Sequence, residues 1–118
     1  MKRLVVGLAL CLAIAAGALG EGLYPFAPIV EGAEFVAGMD GSGRVIAVGD
    51  NTYGQCDVDG WDDVISIAAG FEHLIGLRAD GTVLFAGNND YGQGEVEHWE
   101  HIKMIAAEPF YSFGLTDD

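Results

Sequence analysis

The stretch Ile67-Ala-Ala-Gly-Phe-Glu-His-Leu-Ile-Gly-Leu-Arg-Ala-Asp-Gly81 decides the fold, because it holds two short apolar runs and ends in a turn dipeptide. The runs predict strands at 65–69 and 74–77. Asp80-Gly81 favours a type I′ hairpin turn, in which both central residues take a positive φ. A third strand at 82–86, rich in β-forming residues, follows the turn. The stretch therefore predicts a short antiparallel unit.

This unit recurs at a period of 38 residues. Placing 43–80 over 81–118 gives 15 identities in 38 positions without a gap. Residues 29–42 form a weaker third copy of the phase at 67–80. No stretch beyond residue 20 that is long enough for a helix has a 3.6-residue period, so the chain is predicted to be all-β. The residues that the repeat marks as structural are Gly54, Gln55, Trp61, His73, Asp80, Gly81, Gly92, Gln93 and Trp99.

Short strands at an even spacing, with glycine and aromatic markers in each unit, are typical of β-propeller blades. We predict a partial β-propeller of two repeats plus an extra hairpin portion, built from short antiparallel strands. A ring needs roughly four to eight blades, so we expect either a fragment of a longer repeat protein or self-association through open blade edges. The predicted divisions are a signal peptide at 1–20, a lead-in segment at 21–28, a partial repeat at 29–42 and full repeats at 43–80 and 81–118.

Two motifs carry a family resemblance. One is Ala69-Gly-Phe-Glu-His73 with Leu77 and Asp80-Gly81 after it, and the other is Gly49-Asp-Asn-Thr-Tyr-Gly-Gln55. Together they resemble the repeat of the regulator of chromosome condensation family, over residues 29–118. The resemblance implies a β-propeller. The best-known member is a nucleotide exchange factor for a small GTPase that sits on chromatin.

The exchange activity is not carried over, because this chain departs from that member in three ways. Its repeat is shorter than the family's usual one, it begins with an export signal, and it is strongly acidic. It is more similar to short-repeat bacterial members described as alpha-tubulin suppressor-like, whose fold does not fix a function.

Residues 1–20 form a separate segment. Two basic residues precede an uncharged apolar run at 4–19, and small residues gather before Glu21. This is the pattern of a secretory signal peptide, with cleavage expected after Ala18 or Gly20. An uncleaved anchor is the alternative, although the run is shorter than the roughly 20 residues that span a bilayer core. We therefore expect a secreted or cell-envelope protein.

The remainder of the chain is strongly acidic. All 18 Asp and Glu follow residue 20, where only Arg44, Arg78 and Lys103 are basic. Such a surface repels phosphate groups, which argues against nucleic acid and, after signal cleavage, against a membrane as partners. The acid excess itself favours solubility. The expected partner is a protein or a glycan of unknown identity.

Two groups of residues suggest chemistry and receive structural interpretations instead. His98 and His101 with Glu95 are candidate zinc ligands, but the histidines fall on Gly60 and Asp63 of the preceding unit. We interpret the segment as a solvated loop and expect no metal and no cofactor. Cys56, the only cysteine after residue 20, is expected to be buried as a small apolar residue.

The ring-bearing positions of the repeat predict packing. His73 shares its position with Phe35 and Tyr111, and three ring-sized residues at one position indicate a core role. Trp61 and Trp99 occupy one phase and are expected to pack against equivalent strand positions.

We find no nucleophile–base pair, and so predict no catalytic residue and no enzyme. The leading function is a non-enzymatic exported module that binds protein or glycan through its loops. The alternative is a purely structural fragment or an assembly subunit of a larger repeat propeller. A secreted metal-dependent hydrolase is a remote third possibility.

Overall fold

A computed structural model describes residues 29–117. The predicted signal peptide at 1–20 and lead-in segment at 21–28 lie outside these residues. The described residues form strands and no helix, so none of their elements is a helix long and apolar enough to cross a membrane. The strands are β1 (Ile29–Glu31), β2 (Phe35–Met39), β3 (Val45–Gly49), β4 (Val64–Ala69), β5 (His73–Arg78), β6 (Val83–Gly87), β7 (Ile102–Glu108) and β8 (Tyr111–Thr116).

Three small antiparallel sheets follow one another along the chain. The first sheet has the order β1-β2-β3, the second has β4-β5-β6, and the described part of the third pairs β7 with β8. All pairing within a sheet joins consecutive strands. The repeat boundaries at residues 43 and 81 therefore fall inside hairpin turns, and the first and second sheets each take their strands from two consecutive sequence units.

The turn between β5 and β6 differs from the sequence prediction. Arg78 N donates to Thr82 O at 2.9 Å and Gly81 N donates to Arg78 O at 3.0 Å, which defines a three-residue loop. Gly81 has a φ of 87°, whereas Asp80 is not among the residues with a positive φ. This pattern is a type I turn closed by a left-handed glycine. The type I′ prediction is wrong, because the strands leave three residues to connect instead of two.

The sheets pack face to face through two apolar interfaces. The first interface joins buried residues of the first and second sheets, and the second joins buried residues of the second and third sheets. Each is completed by a valine from the segment that connects the two sheets. The first contains Phe35, Ala37, Val45, Val58, Val64, Ile67, Leu74 and Ala86, and the second contains Ile75, Leu77, Val83, Val96 and Ile102.

Backbone hydrogen bonds join the sheets at both rims, between two hairpin turns at one rim and between a hairpin turn and the first residue of a strand at the other. Within each rim, the second bond joins residues 38 positions after those of the first, so the sheets are related as the sequence repeat predicts. The bonds are Ala33 N to Phe71 O at 2.8 Å, Phe71 N to Pro109 O at 3.2 Å, Val64 N to Gly43 O at 3.4 Å and Ile102 N to Gly81 O at 3.0 Å.

Candidate functional site

The loop after β3 is held rigid by its own polar side chains. Asn51 Oδ1 accepts a bond from Cys56 N at 2.7 Å, and Asn51 Nδ2 donates to Asp57 Oδ1 at 2.8 Å. The buried Gln55 accepts from Tyr53 N at 2.9 Å through Oε1 and donates to Asp50 Oδ2 at 2.9 Å. Each side-chain amide therefore replaces backbone pairing that an irregular loop lacks.

The loop after β6 repeats this network with substituted partners. Asn89 Oδ1 accepts from Gly94 N at 2.6 Å, and Asn89 Nδ2 donates to Glu95 Oε1 at 3.0 Å. The buried Gln93 accepts from Tyr91 N at 2.9 Å. Gly54 and Gly92 have φ values of 79° and 83° at equivalent points of the two loops. The motif that includes Gln55 and Gln93 thus builds the loop that holds Tyr53 and Tyr91 outward.

Trp61 and Trp99 lie at equivalent places between sheets. Both side chains are half-buried, Trp61 beside the first apolar interface and Trp99 beside the second. A Cβ on Gly76 would lie 2.9 Å from the Trp61 ring, and one on Gly114 would lie 2.8 Å from the Trp99 ring. Each indole therefore covers a glycine of the next sheet.

His73 is a buried link between the second and third sheets. Its side chain has no exposed surface, and Nε2 lies 3.1 Å from Ser112 Oγ. Because Ser112 Oγ donates its hydrogen to Gln93 O at 2.7 Å, the imidazole is the donor to Ser112. Burial lowers the pKa of His73, and a hydrogen bond to the backbone of Tyr111 partly offsets this effect. Nδ1 has no partner among the described residues. The lowered pKa favours the neutral form of the ring, which connects two sheets.

Tyr111 differs from its repeat equivalents in burial. Phe35 and His73 are buried, whereas Tyr111 is 62% exposed. A Cβ on Gly70 would collide with the His73 ring, so that ring needs a glycine beneath it. The third sheet has Glu108 at the position of Gly70. Tyr111 lies on the face of β8 that no other sheet among residues 29–117 covers, so within these residues it is not buried as predicted.

The three candidate zinc ligands do not come together as one site. Glu95 accepts the hydrogen bond from Asn89, and His98 Nε2 lies 3.3 Å from Glu97 Oε1 on the exposed surface. His101 has a φ of 58° in the turn before β7. Within residues 29–117, no group of three His, Cys, Asp or Glu is placed to hold one metal ion.

The surroundings raise the pKa of Cys56 and lower the pKa of Asp80. Partial burial raises the pKa of the Cys56 thiol, and Asp50 and Asp57 raise it further. Cys56 Sγ also donates to Asp50 O at 3.3 Å. The bond from the Thr82 side chain, 2.6 Å from Asp80 Oδ1, lowers the pKa of Asp80. Cys56 is thus a poor nucleophile, and Asp80 is a turn residue that stays ionised.

Three exposed aromatic side chains gather at the rim where β5 begins. We name Phe71, Tyr91 and Phe110 the aromatic cluster; they are 48%, 70% and 41% exposed. The Phe110 ring centroid lies 5.7 Å from that of Phe71 in an edge-to-face pair and 5.2 Å from that of Tyr91. Phe71 and Phe110 belong to hairpin turns of different sheets, and Tyr91 belongs to the loop after β6. The cluster exists only because the sheets are stacked.

Comparison with known proteins gives one family match and several solved structures of similar fold. Residues 64–93 match the family model of the regulator of chromosome condensation (RCC1) repeat. No curated protein matches the chain. Prp20p from Saccharomyces cerevisiae has a TM-score of 0.64 at 22% identity, over 77% of this chain and 28% of that one. The ectodomain of the Physcomitrella patens receptor kinase CR4 has a TM-score of 0.58 at 28% identity, over 75% and 26%. Human WBSCR16 has 0.61 at 16%, over 76% and 30%.

The stacked antiparallel sheets with repeated interfaces define a β-propeller-type repeat module. Residues 64–93 match one repeat of the regulator of chromosome condensation family, and the described residues share the fold of Prp20p. The predicted family resemblance and the predicted all-β propeller fold are both confirmed. The chain spans less than a third of the length of each solved structure described above.

Proposed function

We propose that this chain is a non-enzymatic, exported β-propeller-type module that binds a basic segment of a partner protein at the aromatic cluster. The observation that carries the proposal is the contact of Phe71, Tyr91 and Phe110 on the surface, contributed by three separate turns and loops. Exposed, clustered aromatic rings are enriched where proteins bind partners. Export is proposed from the signal-like pattern at 1–20.

The charge around the cluster favours a cationic partner. Glu72 follows Phe71 in one hairpin turn, and Glu108 ends β7 just before Pro109 of the other. A groove of about 260 Å³ is lined by both Phe71 and Glu108. Each of the three described Lys and Arg already lies within 3.5 Å of a carboxylate. The Asp and Glu of residues 29–117 far outnumber these three basic side chains. Lysine or arginine side chains are attracted both to such carboxylates and to the faces of aromatic rings.

Relatives with this fold support the class of function. The solved structure of Prp20p is described with its binding to Gsp1p and histones, and another shows Kap60 bound to the same yeast protein. The receptor kinase relative carries the fold in an ectodomain, which is consistent with the proposed export.

A fluorescent poly-lysine or poly-arginine peptide is the probe for this proposal. Full-length protein should bind it saturably in an anisotropy titration, more weakly as salt is added because the attraction is partly ionic. Tyr91→Ala should weaken binding at least several-fold. Tyr53→Ala is the matched control, because Tyr53 is the exposed repeat equivalent of Tyr91 and makes no ring contact with the cluster.

Three results would overturn the proposal. They are the absence of saturable binding, an equal loss in both tyrosine variants, and binding of a neutral oligosaccharide in place of the peptide. The last result would instead favour a glycan as the ligand.

A second candidate is an assembly subunit of a larger propeller. The observation that favours it is the exposure of large apolar side chains on the outer faces of the first and third sheets. These include Ile46 and Val48 at 53% and 63%, and Phe113 and Leu115 at 50% and 60%.

A further inference from the structure

The outer faces of the first and third sheets carry exposed residues whose repeat equivalents are buried between sheets of the same chain. We define the first open face as Ile29, Val36, Ile46 and Val48 on the first sheet, all exposed. Moved by one repeat, these positions become Ile67, Leu74, Leu84 and Ala86, the part of the second sheet that packs onto the first sheet. The first open face is therefore one half of an interface whose other half is missing.

The third sheet presents the other half. We define the second open face as Tyr111, Phe113 and Leu115, which are 62%, 50% and 60% exposed. One repeat earlier these positions are His73, Ile75 and Leu77, which are buried against the third sheet. Two repeats earlier they are Phe35, Ala37 and Met39, which pack against the second sheet.

From this equivalence we infer that the second open face of one chain packs on the first open face of a second copy, as consecutive sheets pack within one chain. The contact is head-to-tail, so a pair of copies has two identical junctions when it closes. The described residues of two copies supply six sheets, which lies within the roughly four to eight that close a propeller. The inference deepens the assembly role proposed above and does not depend on the aromatic cluster.

The side chains of the two faces suit each other. The first open face surrounds a groove of about 330 Å³ lined mostly by apolar residues, with Gly38 in its wall. Gly38 is the repeat equivalent of Gly76 and Gly114, the two glycines that tryptophan rings cover at the inner interfaces. The second open face offers two aromatic rings, Tyr111 and Phe113, 6.4 Å apart. Phe113 is larger than Ala37 and Ile75 at the same repeat position, and its ring is of a size to enter a groove beside a glycine.

Two charge-introducing variants of the full chain, one on each face, test the inference by sedimentation velocity. The wild type should sediment as two copies at micromolar concentration and above. Val36→Glu and Phe113→Glu should each sediment as one copy, because either carboxylate is placed in both junctions of the ring. Ile65→Glu is the control: Ile65 is 56% exposed and its repeat equivalent is Lys103, so a charge is tolerated there.

Mixing the two single-copy variants distinguishes head-to-tail pairing from like-face pairing. The mixture contains one unmodified first face and one unmodified second face, and so restores one junction of two. A two-copy species, weaker than the wild type, is the expected result. If the mixture stays at one copy, the head-to-tail inference is wrong.

A wild type that stays at one copy at every concentration also overturns the inference. So does association that survives both variants, because it would come from elsewhere, including residues 1–28, which all variants keep. Peptide binding that persists in the single-copy variants would leave the aromatic-cluster proposal standing.

Discussion

Ile75 and Phe113 occupy the same repeat position in two different environments, and truncating each to alanine measures how much the stacking of sheets contributes. Ile75 has no exposed surface and lies in the interface between the second and third sheets. Ile75→Ala removes three carbons, at about 0.8 kcal/mol each for transfer alone. The residual cavity adds to this, so we expect a loss of about 3–4 kcal/mol in the free energy of unfolding.

Phe113→Ala removes a larger side chain, yet should cost less than about 1 kcal/mol in the single-copy protein, since half of the ring is already in water. Urea titration followed by the fluorescence of Trp61 and Trp99 measures both values. The protein must be dilute enough to sediment as one copy. Equal losses at the two positions, or a loss below about 1 kcal/mol at Ile75, would refute the assignment of the second interface.

Three further predictions concern single residues. Gly87→Ala should unfold or strongly destabilise the chain in thermal denaturation, because a Cβ there would collide with Glu72 O and lie 2.7 Å from His73 Cα. Gly60→Ala is the control: a Cβ there meets nothing within 4 Å, so the variant should cost only about 1–2 kcal/mol of stability for its φ of 87°. Similar costs for the two variants would contradict the packing around Gly87. Lowering the pH from about 7 to 5 should reduce the free energy of unfolding more in the wild type than in His73→Phe. The folded-state pKa of His73 lies below its ordinary 6.5, so the unfolded chain takes up the proton first and stability falls as the pH drops through 6.5. Urea titrations that give the same loss of stability between the two pH values in both proteins would refute this. Peptide-mapped alkylation of Cys56 at pH 8 should be slower in the native chain than in urea, since its pKa is raised, and equal rates would be inconsistent with the shift.

The apolar runs and β-forming residues predicted the strands of the second sheet, and the period predicted that similar antiparallel units repeat along the chain. The runs at 65–69 and 74–77 became β4, with one residue added at its start, and β5, with one residue added at each end. The turn type was missed because Asp80-Gly81 fits two hairpin loops, and the choice depends on where the flanking strands stop pairing.

The aromatic cluster was not predicted, because the aromatic residues of its two hairpin turns do not recur at the repeat period. Phe71 aligns with Pro109, and Phe110 aligns with Glu72, so no aromatic position repeats in the hairpin turns. Only the stacking of sheets brings the rings together. The substitution of Phe110 for an acidic residue was the available signal.

Hydrogen–deuterium exchange of the full chain, measured from nanomolar to high micromolar concentration, tests the central claim that the two open faces are halves of the internal interface. Amides of β5, which is covered on both faces by other sheets, should exchange slowly and equally at every concentration. Amides of β2 and β8, each open on one face, should exchange faster when dilute and should slow together as the concentration rises. Protection that rises at only one of these two strands, or at neither, would contradict the account.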